Sequence, residues 1–594
     1  MIRLLLALLC TVGLAAGDAA AIPDLPKAID GAPVLHQGRV KPLAVAAREI
    51  ILGITGREGL PKDAGMDLRP AAVVASMLAD GGRWRGVHLL PVAFAPAREL
   101  LGLDDDHRWL SVDEAASYRP RFVALDQRRA RERDSGVLDP MSPAEAAVLE
   151  LGDRWALAEE ILAGGGLHLL PLVDGPASAD WLVASATAAA PWAGEVQAAR
   201  GDRRRILDLW LTPAEVRSGA GLTGWPGAPR LAPATAWLDS LRTGQGADAA
   251  TAVWAETLYA AAAGRAEVQH QLGIWDDRQA TADLIAVEMA YYQWRPFTWS
   301  WVIAAGALVA AAFALRAGAG PAARRWAWWL LLAAAVAAAL GLAARTVIGG
   351  MGAVTNLYET LVFVGFVCAL LGLVFGWKGS PLYLVAGATG ATLCALIGDA
   401  IPPEQGRALG PLMPVLRNRF WLWTHVKIIV ASYAAFLLAW VIGNIVLVRA
   451  WRQRRPVAAA EAQICYRCIQ VGLVLLIAGT LLGGAWAAES WGRFWGWDPK
   501  EVFALVAILV YLIPLHLRYA GVVGPTGIAA WSVLGFLSVV MSWYGVNFLL
   551  GAGLHAYAFG SGGQQIVLPL CALQVLWTAW LLAQVPKKTS SAAP

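Results

Sequence analysis

Two histidines and a run of indoles are the residues whose types and spacing could do chemistry. His425 stands at the start of one long apolar run, His555 lies just past the end of another, and the segment WGRFWGWDPKE (491–501) falls between them. The chain has only eight histidines, so a pair at matching depth on either side of Trp491, Trp495 and Trp497 stands out. Imidazole ligates iron through a ring nitrogen, and indole offers a flat apolar face with one N–H donor. The pattern suggests two axial ligands flanking a planar macrocycle held by indoles, for which heme is the best fit. Taken singly, each feature has a plainer reading. A histidine at a helix end is more often interfacial than a ligand, and aromatic residues at a bilayer boundary ordinarily form a belt, as Trp299, Trp301, Trp328 and Trp329 do in this reading. Asp498, Pro499 and Glu501 match the N-cap, N1 and N3 positions of a following helix, so Asp498 reads as an organiser of the loop.

The elements that must position these residues belong to a membrane. The chain has 594 residues, 57% hydrophobic and 15% charged, with 29 tryptophans and a net charge of +4 that gives no reason to invoke nucleic acid. Residues 1–21 read as a signal peptide, with Arg3, an apolar run and small residues ending at Ala21. Residues 22–295 hold no uncharged run long enough to cross a bilayer and read as a mainly helical domain outside the cytoplasm. Within it, MSPAEAAVLELGDRWALAEEILA (141–163) has helical spacing and an N-cap Ser142 before Pro143. From Phe297 nine runs reach spanning length, at about 297–316, 325–343, 357–377, 381–398, 423–448, 467–488, 500–518, 528–550 and 564–585. The expected fold is all-α and polytopic, with a transmembrane domain over 296–594. Basic residues alternate between connections: Arg316, Arg324 and Arg325, then Lys378, then Arg449, Arg452, Arg454 and Arg455, then Arg518, then Lys587 and Lys588. Those connections are expected on the cytoplasmic side, the C-terminus with them, which puts His425, the tryptophan segment and His555 on the opposite face.

Six cysteines make no disulfide framework, because Cys10 lies in the leader-like segment and the others lie in or beside apolar runs. Cys465 and Cys468 form a C-x-x-C with no second ligand pair nearby in the sequence. His36, His88, His107, His168 and His270 lack metal-ligand spacing. Glu359 is the main acidic residue within an apolar run, and its place fits the first turn of a helix.

The segment WGRFWGWDPKE resembles the tryptophan-rich signature of the heme-handling superfamily of cytochrome c maturation. TNLYETLVF (355–363), FWLWTHVKIIVASYAAF (420–436), LHLR (515–518) and GVNFLLGAGLHAY (545–557) resemble its CcsA/ResC branch, the membrane component of the system II cytochrome c synthase, over roughly 350–585. The resemblance implies that His425 and His555 are the external axial ligands of heme b, bound as substrate and cofactor. It implies that Trp491, Gly492, Trp495, Trp497 and Asp498 belong to the segment lying against it. It implies that His516, near the far end of the seventh run, belongs to an intramembrane heme site whose second histidine comes from a ResB/CcsB-like subunit. The enzyme would then be a heme-attachment synthase acting with that subunit on apocytochrome c in the bacterial inner membrane. This sequence has Ala556 where the family commonly has a small hydroxyl residue. PVLHQGRVKPLAVAARE (33–49) resembles a periplasmic segment found ahead of this module in some fused synthases.

Two other readings compete. A CcmC- or CcmF-like heme exporter or lyase shares the tryptophan motif, although the nine-run layout and the GLHAY segment favour the synthase. A transporter or scaffold without heme would use the aromatic loop as a gate or a brace, but ion coupling needs buried ionisable groups, and the apolar runs hold few.

Overall fold

A computed structural model describes residues 25–61, 66–135, 141–171, 210–219, 222, 225–271, 281–316, 320–401, 409, 418–550 and 563–586. The leader-like segment, His555, Lys587 and Lys588 lie outside the described residues. The chain divides into two compact units, 1–292 and 293–594.

The first unit opens on an antiparallel hairpin, β1 (Pro33–His36) and β2 (Arg39–Pro42). Its two-residue turn holds Gln37 and Gly38 at φ 50° and 74°, the left-handed pair that matches strand twist in tight hairpins. Pro42 then leads into α1 (Leu43–Thr55), which packs on α2 (Pro70–Ala79). Two further strand pairs, β3 (His88–Pro91) with β4 (Trp109–Ser111) and β5 (Leu170–Pro171) with β6 (Trp210–Leu211), edge the core. Helix α3 (Pro143–Leu162) begins as its sequence demands: Ser142 caps the Glu145 N–H, the Glu145 carboxylate returns to the Ser142 N–H, and Pro143 sits in the first turn. Helices α4 (Leu231–Thr243) and α5 (Ala247–Gln271) add Trp237 and Trp254, stacked with centroids 5.5 Å apart and fully buried. Helix α6 (Ala282–Trp294) closes the unit through a buried bidentate pair in which Arg39 donates to both oxygens of Glu288 at 2.6 Å.

Among the described residues nine helices are long and apolar enough to cross a membrane, and the chain is a polytopic all-α membrane protein. The first candidate span, Ala282–Ala314, reaches further back than the expected 297–316, because α6 runs into α7 (Pro296–Ala314) with one break at Arg295. Arg295 sits at φ 47°, and Pro296 restarts the helix at its first position. Helix α8 (Pro321–Gly349) follows, then α9 (Leu357–Gly376) and α10 (Pro381–Ala400). Gly372 and Gly387 let α9 and α10 touch backbone to backbone: a Cβ on Gly372 would lie 2.9 Å from the Gly387 Cα. Helix α11 (Lys427–Arg452) is the central post, packed by α9, α10 and α12 (Ala459–Trp491). Around it stand α13 (Pro499–Tyr519), the pair α14 (Pro525–Leu534) and α15 (Phe536–Val540), and α16 (Gln564–Gln584). Phe436 of α11 stacks on Tyr511 of α13 with centroids 3.9 Å apart.

Two segments depart from α geometry. Leu422–Val426, just before α11, and Met541–Leu550, just after α15, are π-helical. A π turn holds one residue more than an α turn and shifts the side chains that follow around the helix axis.

Inside the second unit Arg345 of α8 and Glu359 of α9 form a buried ion pair at 2.7 Å, both almost fully enclosed. The second Glu359 oxygen accepts from the Thr355 N–H and hydroxyl, and Asn356 caps the Glu359 N–H. Glu359 thus occupies the first turn of its helix, as its position suggests, and gains a cation that the sequence did not offer beside it.

Candidate functional site

His425 lies inside the first π segment, and its surroundings come from α12. Its Nδ1 stands 2.7 Å from the carbonyl oxygen of Gly479. A carbonyl only accepts, so Nδ1 carries a proton, and in a neutral imidazole the lone pair then lies on Nε2, the arrangement that orients a metal-ligating histidine. Gly483 makes the approach possible, since a Cβ there would fall 2.6 Å from the imidazole Cε1. The ring of Trp486 meets the imidazole edge-on, with centroids 5.7 Å apart and planes at 63°.

Helix α12 ends at Trp491, and Gly492 reverses the chain at φ 70°, where a side chain would be strained. The loop that follows is tied by carboxylates. Arg493 lies over the Trp491 ring at 5.8 Å and donates to Glu501 at 3.1 Å. The other Glu501 oxygen accepts from the backbone N–H groups of Gly496 at 2.7 Å and Asp498 at 3.2 Å, while buried Asp498 accepts from the Lys500 N–H at 2.9 Å. Asp498, Pro499 and Glu501 are therefore N-cap, N1 and N3 of α13, as their types and order require. Trp495 and Trp497 meet edge to face at 5.9 Å, with Trp497 exposed at φ 57°. Phe494 packs on Gly484, which anchors the loop against α12.

The arrangement thus joins His425 to α12 and hangs the tryptophan loop from that helix's end. His516 sits apart, near the last turn of α13, exposed, with its Nδ1 2.8 Å from the Leu512 carbonyl. Eighteen residues of helix separate it from Asp498, about 27 Å at 1.5 Å per residue. The second π segment stops at Leu550, five residues before His555.

Several residues around His425 escape sequence reasoning: Gly479, Gly483 and Trp486, and on the other side of the π turn Lys427, whose Nζ lies 3.0 Å from the Trp423 ring centroid. The spacing of 479, 483 and 486 on one helical face carried the signal, but only a partner helix gives it meaning. Among the described residues the cysteines are free thiols, buried at Cys368, Cys394, Cys465 and Cys468 and partly exposed at Cys571. No group of three or more His, Cys, Asp or Glu among the described residues is placed to hold a metal ion.

A cluster of buried charge lies in the first unit. His36 keeps Nδ1 3.0 Å from the Gly166 carbonyl and Nε2 3.7 Å from Glu49, which pairs with enclosed Lys41 at 2.7 Å. Burial, with the Lys41 ammonium beside it, pushes the His36 imidazole down to about 4.

Residues 354–555, which include His425, the tryptophan loop, His516 and His555, match the family model described as cytochrome C assembly protein. The cytochrome c biogenesis protein CcsA of Prochlorococcus marinus is 33% identical over 242 residues, covering 35% of this chain and 76% of that protein. The chain belongs to the CcsA family. The CcsA of Synechococcus sp. (strain WH7803) is 34% identical over 250 residues, 35% of this chain and 77% of its own. Protein NrfI of Wolinella succinogenes is 35% identical over 233 residues, 37% of this chain and 25% of NrfI. As a CcsA-family protein the chain works in cytochrome c maturation, from a multi-pass membrane domain.

Proposed function

We propose that this CcsA-family protein holds heme b between His425 and His555 on the outer face of the inner membrane and delivers it to apocytochrome c for thioether attachment. The observation that carries the reading is the Nδ1–H···O=C bond from His425 to Gly479, which presents Nε2 as the lone-pair nitrogen from a π turn within the family-matched segment. Trp491, Gly492, Trp495, Trp497 and Asp498 form and brace the adjoining platform, and the positive-inside pattern of the sequence supports a periplasmic tryptophan loop, a periplasmic first unit and a cytoplasmic C-terminus.

Heme is the substrate here. Attachment adds each cysteine S–H of the client across a vinyl C=C, forming one C–S and one C–H bond with no net redox change. The protein's part is binding, orientation and control of the iron's free positions. His516, exposed at the opposite end of α13, serves an inner heme site completed by a ResB/CcsB-like subunit, and the pair acts together as the synthase.

The test is the visible spectrum of detergent-purified protein, as isolated and after dithionite, for wild type, His425→Ala, His555→Ala and the double variant. A low-spin reduced heme spectrum that turns high-spin or vanishes in each single variant, and returns with imidazole, supports the site. Folded, heme-replete protein without heme, or a spectrum unchanged in the double variant, overturns it and favours a transporter or scaffold.

A further inference from the structure

Among the described residues, every indole buried around its N–H has an acceptor, with one exception beside His425. Trp84 donates to Ser76 and Trp254 to the Pro33 carbonyl. Within the apolar helices Trp328 and Trp531 reach the carbonyls of Leu373 and Val510. The Nε1 of Trp486 is enclosed and has no hydrogen-bond partner among the described residues. The nearby carboxylate of Glu489 is already engaged, by the Trp421 indole at 2.5 Å and by Asn418 at 3.4 Å. A buried donor without an acceptor is costly, and such a group in a native protein calls for a specific explanation.

The place of Trp486 supplies one. Gly479, Gly483 and Trp486 are spaced i, i+4, i+7 and share the face of α12 that receives His425. A donor beside an axial imidazole lies on the same side of the macrocycle as that ligand. From there it meets the rim of the macrocycle and not the iron. The acceptors that a protoporphyrin carries on its rim are carboxylates. Resting on the His425 reading above, we infer that Trp486 is a further binding residue of this site, whose indole N–H donates to a carboxylate of the bound tetrapyrrole and so fixes its rotation about the iron–imidazole axis. Rotation matters to the reaction, because it decides which vinyl group faces which thiol of the client.

The test titrates full-length, detergent-purified apoprotein with ferric protoporphyrin IX and with its dimethyl ester, for wild type, Trp486→Phe and Trp486→Gln. Phenylalanine keeps an aromatic ring and removes the donor, whereas glutamine restores an N–H. Wild type is expected to bind the free acid more tightly than the diester. Trp486→Phe should weaken free-acid binding about 10- to 100-fold, the range for a hydrogen bond to a charged group, with the diester unaffected and the low-spin spectrum kept. Trp486→Gln should recover part of the preference. Equal binding of both porphyrins by wild type, or an equal loss for both in Trp486→Phe, overturns the inference while leaving His425 as ligand. Loss of the low-spin spectrum from wild type itself would instead remove the His425 reading, and this one with it.

Discussion

An ion pair between Arg345 and Glu359 is enclosed where water cannot screen it, so each residue depends on the other more than on the solvent. Replacing one partner, as in Glu359→Gln or Arg345→Met, should cost about 3–5 kcal/mol by leaving an uncompensated charge. Replacing both with apolar residues should recover most of that loss. Unfolding midpoints of the three variants in detergent decide it. His36 makes a second claim at this scale. Its folded value lies near 4 against an ordinary 6.5, so the native ring stays neutral while the unfolded ring gains a proton as pH falls. Stability is therefore complete above about pH 6.5 and is lost as pH drops toward 4, by an amount on the order of 3 kcal/mol. Hydrogen exchange of the 33–49 segment, corrected for the intrinsic pH dependence, should rise over that interval in wild type and flatten in His36→Gln. Neither neighbourhood was legible in advance. Arg345 and Glu359 are 14 residues apart in different helices, and the burial that lowers His36 comes from tertiary packing, with its hydrogen-bond partner Gly166 far along the chain.

The elements were far more legible, for a physical reason. A span must be apolar for the thickness of the bilayer, so nine runs in the sequence become nine candidate spans among the described residues. Caps were legible as well, because Ser142–Glu145 and Asp498–Glu501 are short-range bonds written within four residues. The β1–β2 hairpin and the two π segments were not foreseen. The hairpin rests on a Gln–Gly pair that is a weak turn signal, and a π turn depends on what a neighbouring helix demands. Two predictions follow from these elements. On the proposed heme site, Gly483→Ala should push the imidazole off α12, leaving the protein folded and any heme it binds partly high-spin by absorption spectroscopy. Asp498→Ala should lose about 1 kcal/mol of capping, read as faster hydrogen exchange in the first turn of α13 and in the tryptophan loop.

Across the whole molecule, family membership rests on about a third of the chain, and residues 1–292 form a compact unit outside the family-matched segment. The orientation proposed for the membrane unit can be tested directly. The thiols at 368, 394, 465 and 468 are buried and should stay silent, so with Cys10 and the part-exposed Cys571 replaced by serine, cysteines introduced at exposed positions report the side of the membrane. In intact spheroplasts a membrane-impermeant maleimide should label Trp497→Cys and spare Lys378→Cys until the cells are lysed. The reverse pattern would invert the topology and place the tryptophan loop in the cytoplasm.

The π turn before α11 also bears on how such a protein can change through insertion and deletion. An extra residue held in a single turn leaves the helix beyond it intact, so removing one residue from Leu422–Val426 would let the turn relax to α geometry while α11 keeps its packing. What would change is the bearing of the residues ahead of the deletion, His425 among them when the lost residue lies after it. A one-codon event could thus redirect the His425 side chain by roughly a quarter turn or more without disturbing the core. Lineages that lengthen or shorten this turn would be altering how His425 is presented and leaving the helix behind it untouched.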